Sequence, residues 1–310
     1  MKFIKSIPMA TCSLALALAT LGNLLLPLAG GATIRYVCGL LSLAVLAIFA
    51  AKLIFDPKHA KEELKTPVPL SVAPTATMAM MLLSTYIRPH IPAVALVIWY
   101  VAIVVHVVIM LIFVKRFVVD FSLGAVFPSW FIPGVGIAVV SITAPAMNAI
   151  LLGQLAFYLG FACYFAILGL VIFRMNKVRV FPEPARKTVA IFTAPMSLLI
   201  VGYFNSFMAV DQGNVALVYL MLAVALVSYL YVCLMMFSLL KINFYPTYAA
   251  LTFPYAISAI AFRLGANFLA ARHGLDFLVG IANLTMWLAV LVVGFVLVHY
   301  VKYFRFWLRF

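Results

Sequence analysis

The sequence is poor in charged residues. Asp, Glu, Lys and Arg make up 9% of its 310 residues, whereas they make up about 25% of a typical soluble domain. Hydrophobic residues account for 67% of the chain. This composition excludes a soluble globular domain, because too few polar side chains remain to cover its surface. The chain is therefore predicted to be an integral membrane protein.

The sequence also lacks the patterns that mark metal, disulfide and catalytic sites. Its four cysteines, Cys12, Cys38, Cys163 and Cys233, form no CxxC pair and do not cluster with histidine, so neither a disulfide framework nor a metal site is indicated. No HExxH or GxSxG motif is present, and these motifs mark common hydrolases. We therefore expect no enzyme, no catalytic residues and no cofactor.

Long apolar segments predict an all-α fold with ten transmembrane helices. Each segment has about twenty residues, which is enough to cross a hydrocarbon core of about 30 Å. Stretches such as MWLAVLVVGFVLVHYV are apolar on every side, unlike the alternating strands of a membrane barrel. The predicted spans are residues 7–27, 33–55, 68–87, 91–114, 129–149, 152–173, 188–208, 214–239, 246–270 and 276–301.

The net charge of +14 is explained by membrane topology rather than by nucleic-acid binding. Ten spans place both termini on one side of the membrane. Of the 21 Lys and Arg residues, only Arg35, Arg88, Arg263 and Arg272 fall towards the other side. Because basic residues concentrate in cytoplasmic loops, both termini are predicted to be cytoplasmic.

None of the seven acidic residues falls in the interior of a predicted span, and Asp276 stands at the membrane edge, where the tenth span begins. Transporters coupled to protons or sodium usually keep a carboxylate within the membrane, whereas an anion pore avoids fixed negative charge. The distribution of acidic residues therefore favours a passive channel over a coupled carrier. His106, in the fourth span, is either a titratable group or the source of a hydrogen bond between packed helices.

The apolar segments repeat with a period of about 60 residues. The odd-numbered spans begin near residues 7, 68, 129, 188 and 246, which are 58 to 61 residues apart. Such regularity predicts a structural repeat. We therefore predict a single transmembrane domain over residues 1–310, built from five helical hairpins at about 7–55, 68–114, 129–173, 188–239 and 246–301.

Interior prolines follow the same period. Pro74, Pro133, Pro195 and Pro254 lie inside four odd-numbered spans and are 59 to 62 residues apart. Each removes a backbone hydrogen bond and bends its helix, and the freed carbonyl needs a partner in protein or water. Small and hydroxyl residues also concentrate in the odd spans, as in SVAPTATMAM, which alone indicates only close packing. Together the two patterns predict an inner ring of odd helices and an outer ring of even helices.

Four segments resemble one protein family in their order and spacing. They are SVAPTATM at 71–78, FPSWFIPGVG at 127–136, ARKTVAIFTAPMSLLIVGYF at 185–204 and ALTFPYAISAIAF at 250–262. Over nearly the whole chain they resemble the bacterial TehA proteins and the plant slow-type anion channels, of the tellurite-resistance and dicarboxylate transporter family. The resemblance implies an anion channel in a bacterial inner membrane, with the lipid bilayer and small anions such as chloride as partners.

The resemblance also implies an arrangement of helices. Five hairpins would be related by quasi-fivefold symmetry, with odd helices lining a central pore, and subunits with separate pores would form a homotrimer. A phenylalanine on the ninth helix would plug the pore, and it corresponds to Phe253, directly before Pro254. One departure is that Ala15 stands where the first span would carry its interior proline.

The ninth span supports Phe253 as a gate through its own pattern. At about 100° per residue, Ala249, Phe253, Ala256, Ile257 and Ile260 fall on one face of a helix. Phe253 is then a bulky ring on a stripe that is otherwise small or aliphatic. Such a ring closes a pore by its volume and by dewetting, and ordinary core packing is the alternative interpretation.

Arg263 lies ten residues after Phe253 and about 80° away from that face. It is predicted to snorkel to the interface, to pair with another group, or to attract anions at the outer mouth.

A second hypothesis for the whole chain is a secondary exporter of sulfite, tellurite-type oxyanions or C4-dicarboxylates. Its flux would saturate and depend on a proton gradient, whereas passive conduction would do neither.

Overall fold

The computed structural model describes residues 2–178, 181–241 and 243–308, and within these ranges every regular element is helical. Among these residues, nine helices are long and apolar enough to cross a membrane, and one shorter apolar helix precedes them. The predicted all-α membrane fold is confirmed. We number these helices α1 (Thr11–Leu25), α2 (Gly31–Phe55), α3 (Pro67–Ile87), α4 (Pro92–Val119), α5 (Pro128–Met147), α6 (Ile150–Lys177), α7 (Glu183–Val210), α8 (Val215–Leu240), α9 (Pro246–His273) and α10 (Phe277–Leu308).

Two helices differ from the spans predicted for them in a way that matters for the interior. α1 has 15 residues and is about 22 Å long, shorter than the predicted 7–27. Fourteen of its residues are buried in protein, so α1 does not have to match the thickness of the lipid. α7 begins at Glu183 rather than at 188, and Lys187 therefore belongs to a helix and not to a solvated loop.

Burial separates the odd-numbered helices from the even-numbered ones. In their most apolar stretches, α3, α5, α7 and α9 have 72–83% of their residues buried, whereas α2, α4, α6, α8 and α10 have 22–28% buried. The even helices expose many leucine, valine and phenylalanine side chains, which suit contact with lipid. The odd helices thus form an inner layer and the even helices an outer layer.

The five odd helices close into a ring. α1 contacts α3, α3 contacts α5, α5 contacts α7, α7 contacts α9, and α9 contacts α1. Each odd helix also packs against the even helix that follows it. Successive odd helices therefore run in the same direction, and all of them begin at the membrane face that holds both chain termini. We call this the terminal face.

Hydroxyl side chains link neighbouring helices of the ring. A buried hydroxyl without a partner costs free energy, so each link favours one register between two helices. The linked groups and their O···O distances are Ser13 and Thr75 (α1 and α3, 3.1 Å), Ser71 and Ser129 (α3 and α5, 2.7 Å), Ser206 and the carbonyl of Ser141 (α7 and α5, 2.7 Å), and Ser197 and Ser258 (α7 and α9, 2.9 Å).

The backbone tightens before three of the interior prolines. In α5, a short 3-10 segment over Pro128–Trp130 precedes Pro133. In α7, a 3-10 segment over Lys187–Thr193 precedes Pro195, and in α9 a 3-10 segment over Pro246–Leu251 precedes Pro254. Proline has no N–H to continue an α-helical ladder, and a 3-10 turn, with three residues per turn, is the tighter alternative. The change of period alters which side chains share a face.

We expect Gly202→Ala to destabilise the inner ring. A Cβ atom at this position on α7 lies 2.8 Å from Ser141 Cβ on α5, and a contact that short pushes the two helices apart. Overpacking of this kind costs about 1–3 kcal/mol, so the variant should unfold at a lower temperature in detergent. Gly169→Ala on α6 is the control, because nothing lies within 4 Å of its Cβ position. Equal melting temperatures of the two variants would contradict the close contact.

Candidate functional site

A narrow cavity lies inside the ring of odd helices. Its volume is about 40 Å³, which is room for only a few water molecules. All five odd helices contribute to its lining and, among the described residues, no even helix does. The lining residues are Ala10 and Ser13 at α1, Val72, Thr75 and Met78 on α3, Phe131, Ile132, Val135 and Gly136 on α5, Thr188, Ile191, Ala194, Pro195 and Leu198 on α7, and Thr247, Ala249, Ala250, Phe253 and Pro254 on α9.

Many of the lining residues follow one another at intervals of three. On α9 they are Thr247, Ala250 and Phe253, and the same interval recurs on α7 from Thr188 to Ala194. An interval of three places side chains on one face of a 3-10 helix, and most of both stretches is 3-10 helix. The same interval occurs on α3, at Val72, Thr75 and Met78, where the backbone is α-helical. Residues three apart share a face in both kinds of helix, so the 3-10 backbone of α7 and α9 fits the spacing but is not its only source.

The site residues predicted from the sequence divide into two groups. Four of them line the cavity: Ala249, Phe253, Pro254 and Pro195. Five lie outside its lining: Pro74, Pro133, Ala256, Ile257 and Ile260. Ala256, Ile257 and Ile260 follow Phe253 in the α-helical part of α9, and the cavity lining on α9 ends before them, at Pro254. The predicted face assumed 3.6 residues per turn throughout, whereas the residues before Phe253 form a 3-10 helix. The three-residue spacing of Thr247, Ala250 and Phe253 was the signal in the sequence that the α-helical period missed.

The cavity lining is apolar apart from four hydroxyl groups. Ser13 and Thr75 face each other across 3.1 Å, and Thr188 and Thr247 donate to backbone carbonyls at 2.6 and 2.5 Å. Among the described residues, no acidic or basic side chain lines the cavity. The lining thus presents weak dipoles and no fixed charge.

Two phenylalanines line the cavity, and their surroundings differ. Phe131 packs against Tyr164 and Phe192, with ring centroids 5.7 and 5.8 Å away. Within the described ranges, Phe253 makes no such ring contact. Phe253 is therefore the lining aromatic whose rotation is not restricted by neighbouring rings.

Arg263 lies outside the cavity lining and joins three helices. Its Nη1 donates to the Leu24 carbonyl at 3.1 Å, and its Nη2 lies 3.3 Å from Asn283 Oδ1 and 3.2 Å from Met286 Sδ. These contacts tie α9 to the end of α1 and to α10. Arg263 thus links the first and last inner helices, the one junction of the ring for which the hydroxyl pairs above supply no link.

His106 is fully buried on α4 and bridges two inner helices. Its Nδ1 lies 2.8 Å from Thr77 Oγ1 on α3, and its Nε2 lies 3.3 Å from the Pro133 carbonyl on α5. Both partners are close to interior prolines. The carbonyl belongs to Pro133 itself, and Thr77 follows Pro74 by three residues. This geometry is that of a hydrogen bond between packed helices, and the imidazole is not among the cavity-lining groups.

The sequence pattern predicts that Lys187 lies in a solvated loop, but the fold buries its side chain in the protein. It is fully buried, its Nζ donates to the Asn243 carbonyl at 3.1 Å, and it lies over the ring of Tyr248. Lys187 directly precedes Thr188 of the cavity lining, at the start of α7 near the terminal face. A buried amino group therefore lies one residue away from the cavity lining along the chain.

The chain is similar to a known protein family. It matches the family model described as SLAC1, voltage-dependent anion channel, over residues 4–301. The match includes α1 to α9 completely and most of α10. No individual curated protein matches the chain.

We expect Arg263→Ala to lower thermal stability more than Arg272→Ala does. The first change leaves the Leu24 carbonyl and the Asn283 amide without their donor, and each unsatisfied buried group costs about 1–3 kcal/mol. Arg272 is exposed at the end of α9 and serves as the control. Melting temperatures of the purified variants in detergent measure the difference, and equal values would contradict a structural role for Arg263.

Proposed function

We propose that the ring of odd helices is a passive pathway for small anions such as chloride, because the chain belongs to the voltage-dependent anion channel family. Members of this family are anion channels or transporters rather than enzymes. The observation that carries the proposal is the cavity to which all five odd helices contribute. An ion that follows this cavity stays within protein and avoids the hydrocarbon of the lipid.

The charge distribution around the cavity suits an anion. Its lining lacks carboxylates, which would repel an anion, and it lacks fixed cations, which would hold the anion too tightly for conduction. The attraction for an anion comes from groups just outside the lining. Buried Lys187 adjoins the lining, and the five odd helices all begin at the terminal face, where the positive ends of their dipoles add up. Anions are thus drawn to this entrance without being trapped.

Phe253 is the gate in this proposal. The space of about 40 Å³ is too small for an anion with its water shell, so the resting pathway is closed. The Phe253 ring occupies the lining between Ala250 and Pro254, after a 3-10 segment and without a stacked ring to hold it. Rotation of this side chain, or a change of the bend at Pro254, would widen the cavity while leaving the ring of helices intact.

We also propose a wider arrangement around this pathway. Residues 1–310 form one transmembrane domain whose five hairpins have quasi-fivefold symmetry, with both termini in the cytoplasm of a bacterium. The hydroxyl links between successive odd helices support the repeat, since the linked residues are 58 to 65 positions apart. A homotrimer with one pore in each subunit follows from the resemblance to the TehA proteins.

We expect Phe253→Ala to raise chloride conductance at least about tenfold, which corresponds to a barrier lowered by about 1.4 kcal/mol. Removal of the ring widens the cavity where Phe253 lines it. Currents in planar bilayers containing the purified chain measure the effect. Phe262→Ala is the matched control, because it removes the same ring from α9 at a position outside the cavity lining.

Equal chloride conductance of Phe253→Ala and the parent would contradict the gate. If Phe131→Ala alone opened the pathway, the gate would belong to α5. Liposome flux that saturates and requires a proton gradient would favour an exporter of sulfite, tellurite-type oxyanions or C4-dicarboxylates over a channel.

A further inference from the structure

A second cavity opens on the outer surface of the protein, between α2 and α4. Its volume is about 580 Å³, and α3 forms its floor. Apolar side chains line it from all three helices, among them Leu46, Met80 and Ile109. We call it the α2–α4 groove. Both flanking helices leave most of their residues unburied, so the groove faces the surrounding lipid.

Two cations lie at the end of the groove near the terminal face. Lys61 is on the short helix Pro57–Glu63, and Arg116 is near the end of α4. Both are exposed, and both belong to the lining of the groove. Arg116 Nη1 donates to the Leu64 carbonyl at 2.9 Å, which holds the guanidinium beside the groove.

Two neighbouring carboxylates form salt bridges with other lysines. Glu63 pairs with the buried Lys52, and Glu62 pairs with Lys65 at 2.7 Å. The hydrogen bond from Lys65 holds the pKa of Glu62 below its usual range, and the more distant charge of Lys61 acts in the same direction. Within the described ranges, neither Lys61 nor Arg116 forms a salt bridge of its own.

We propose that the α2–α4 groove binds an anionic phospholipid, with one acyl chain in the groove and the headgroup phosphate between Lys61 and Arg116. An acyl chain requires an apolar channel open to the bilayer. A phosphate requires cationic N–H donors at the membrane edge. The groove supplies both, and basic pockets between transmembrane helices recognise lipid headgroups by this combination.

A groove between α6 and α8 shows what an apolar channel without cations looks like. It has a similar volume, about 560 Å³, and its lining includes Leu168, Val227 and Tyr231. No Lys or Arg lines it among the described residues. A lipid chain there is held by apolar contact alone, without preference for its headgroup. Preference for anionic lipid therefore resides at Lys61 and Arg116.

The floor of the α2–α4 groove adjoins a bend of the inner ring. Ala73, Ala76 and Thr77 contribute to the floor and surround Pro74 in the chain. Thr77 is also the hydrogen-bond partner of His106. An acyl chain in the groove therefore packs against α3 at its proline, from the side opposite the inner cavity.

Native mass spectrometry of the full chain in detergent tests the proposal. The protein is mixed with phosphatidylglycerol or with phosphatidylcholine, and the fraction that carries one lipid is measured. Each basic residue near an anionic lipid favours binding about fivefold, so the parent should prefer phosphatidylglycerol by about thirtyfold. The double variant Lys61→Gln, Arg116→Gln should lose this preference. The control Lys58→Gln, Lys115→Gln removes the same charge nearby, from exposed residues outside the lining, and should keep it.

Several results would overturn the proposal. One is an equal affinity of the parent for both lipids. Another is an equal loss of preference in the two double variants, because that loss would indicate attraction to general surface charge. Displacement of the lipid by inorganic phosphate alone would show that the site recognises free phosphate. If the chain forms an oligomer that retains no lipid, the groove would instead be an interface with a second copy of the chain.

Discussion

A proline inside a membrane helix leaves a backbone carbonyl without its usual donor, and lipid provides no water to replace that donor. The fold meets this constraint by placing all four interior prolines in helices that other helices cover, where Pro74, Pro133, Pro195 and Pro254 are buried. Before three of them the backbone tightens into 3-10 turns. In the two longer 3-10 segments, on α7 and α9, cavity-lining residues recur at intervals of three, which suits three residues per turn.

The polar side chains of the inner ring mostly contact neighbouring helices. Hydroxyl links join four pairs of successive odd helices, and Arg263 joins the remaining pair through the Leu24 carbonyl. His106 adds a bridge from the outer layer. Because these groups bond to protein, the ring encloses a cavity without fixed charge. In our proposal, the attraction for anions comes from groups behind the lining, at Lys187 and at the starts of the odd helices.

The sequence predicts the layers of this fold well and the details of its cavity less well. Continuous apolar runs predict ten helices because hydropathy responds directly to the membrane, and the spacing of prolines separates inner from outer helices. Ala256, Ile257 and Ile260 follow Phe253 in the α-helical part of α9 and share its face, but the cavity lining on α9 ends at Pro254. Lys187 was assigned to a loop because a basic residue at the end of an apolar run resembles a topology signal. Its burial depends on Asn243 and Tyr248, which are distant in the chain.

The central claim is that a continuous pathway runs through the inner ring and is interrupted at Phe253. Cysteines introduced at Ala250 and at Leu198 lie on opposite sides of the proline bends and both line the cavity. Their reaction with a charged, membrane-impermeant thiol reagent, measured from each side of the membrane against the parent chain, tests the claim directly. The account predicts that each cysteine reacts from one side only while Phe253 is present, and from both sides after Phe253→Ala. Reaction from both sides with Phe253 in place, or from neither side without it, would contradict the account.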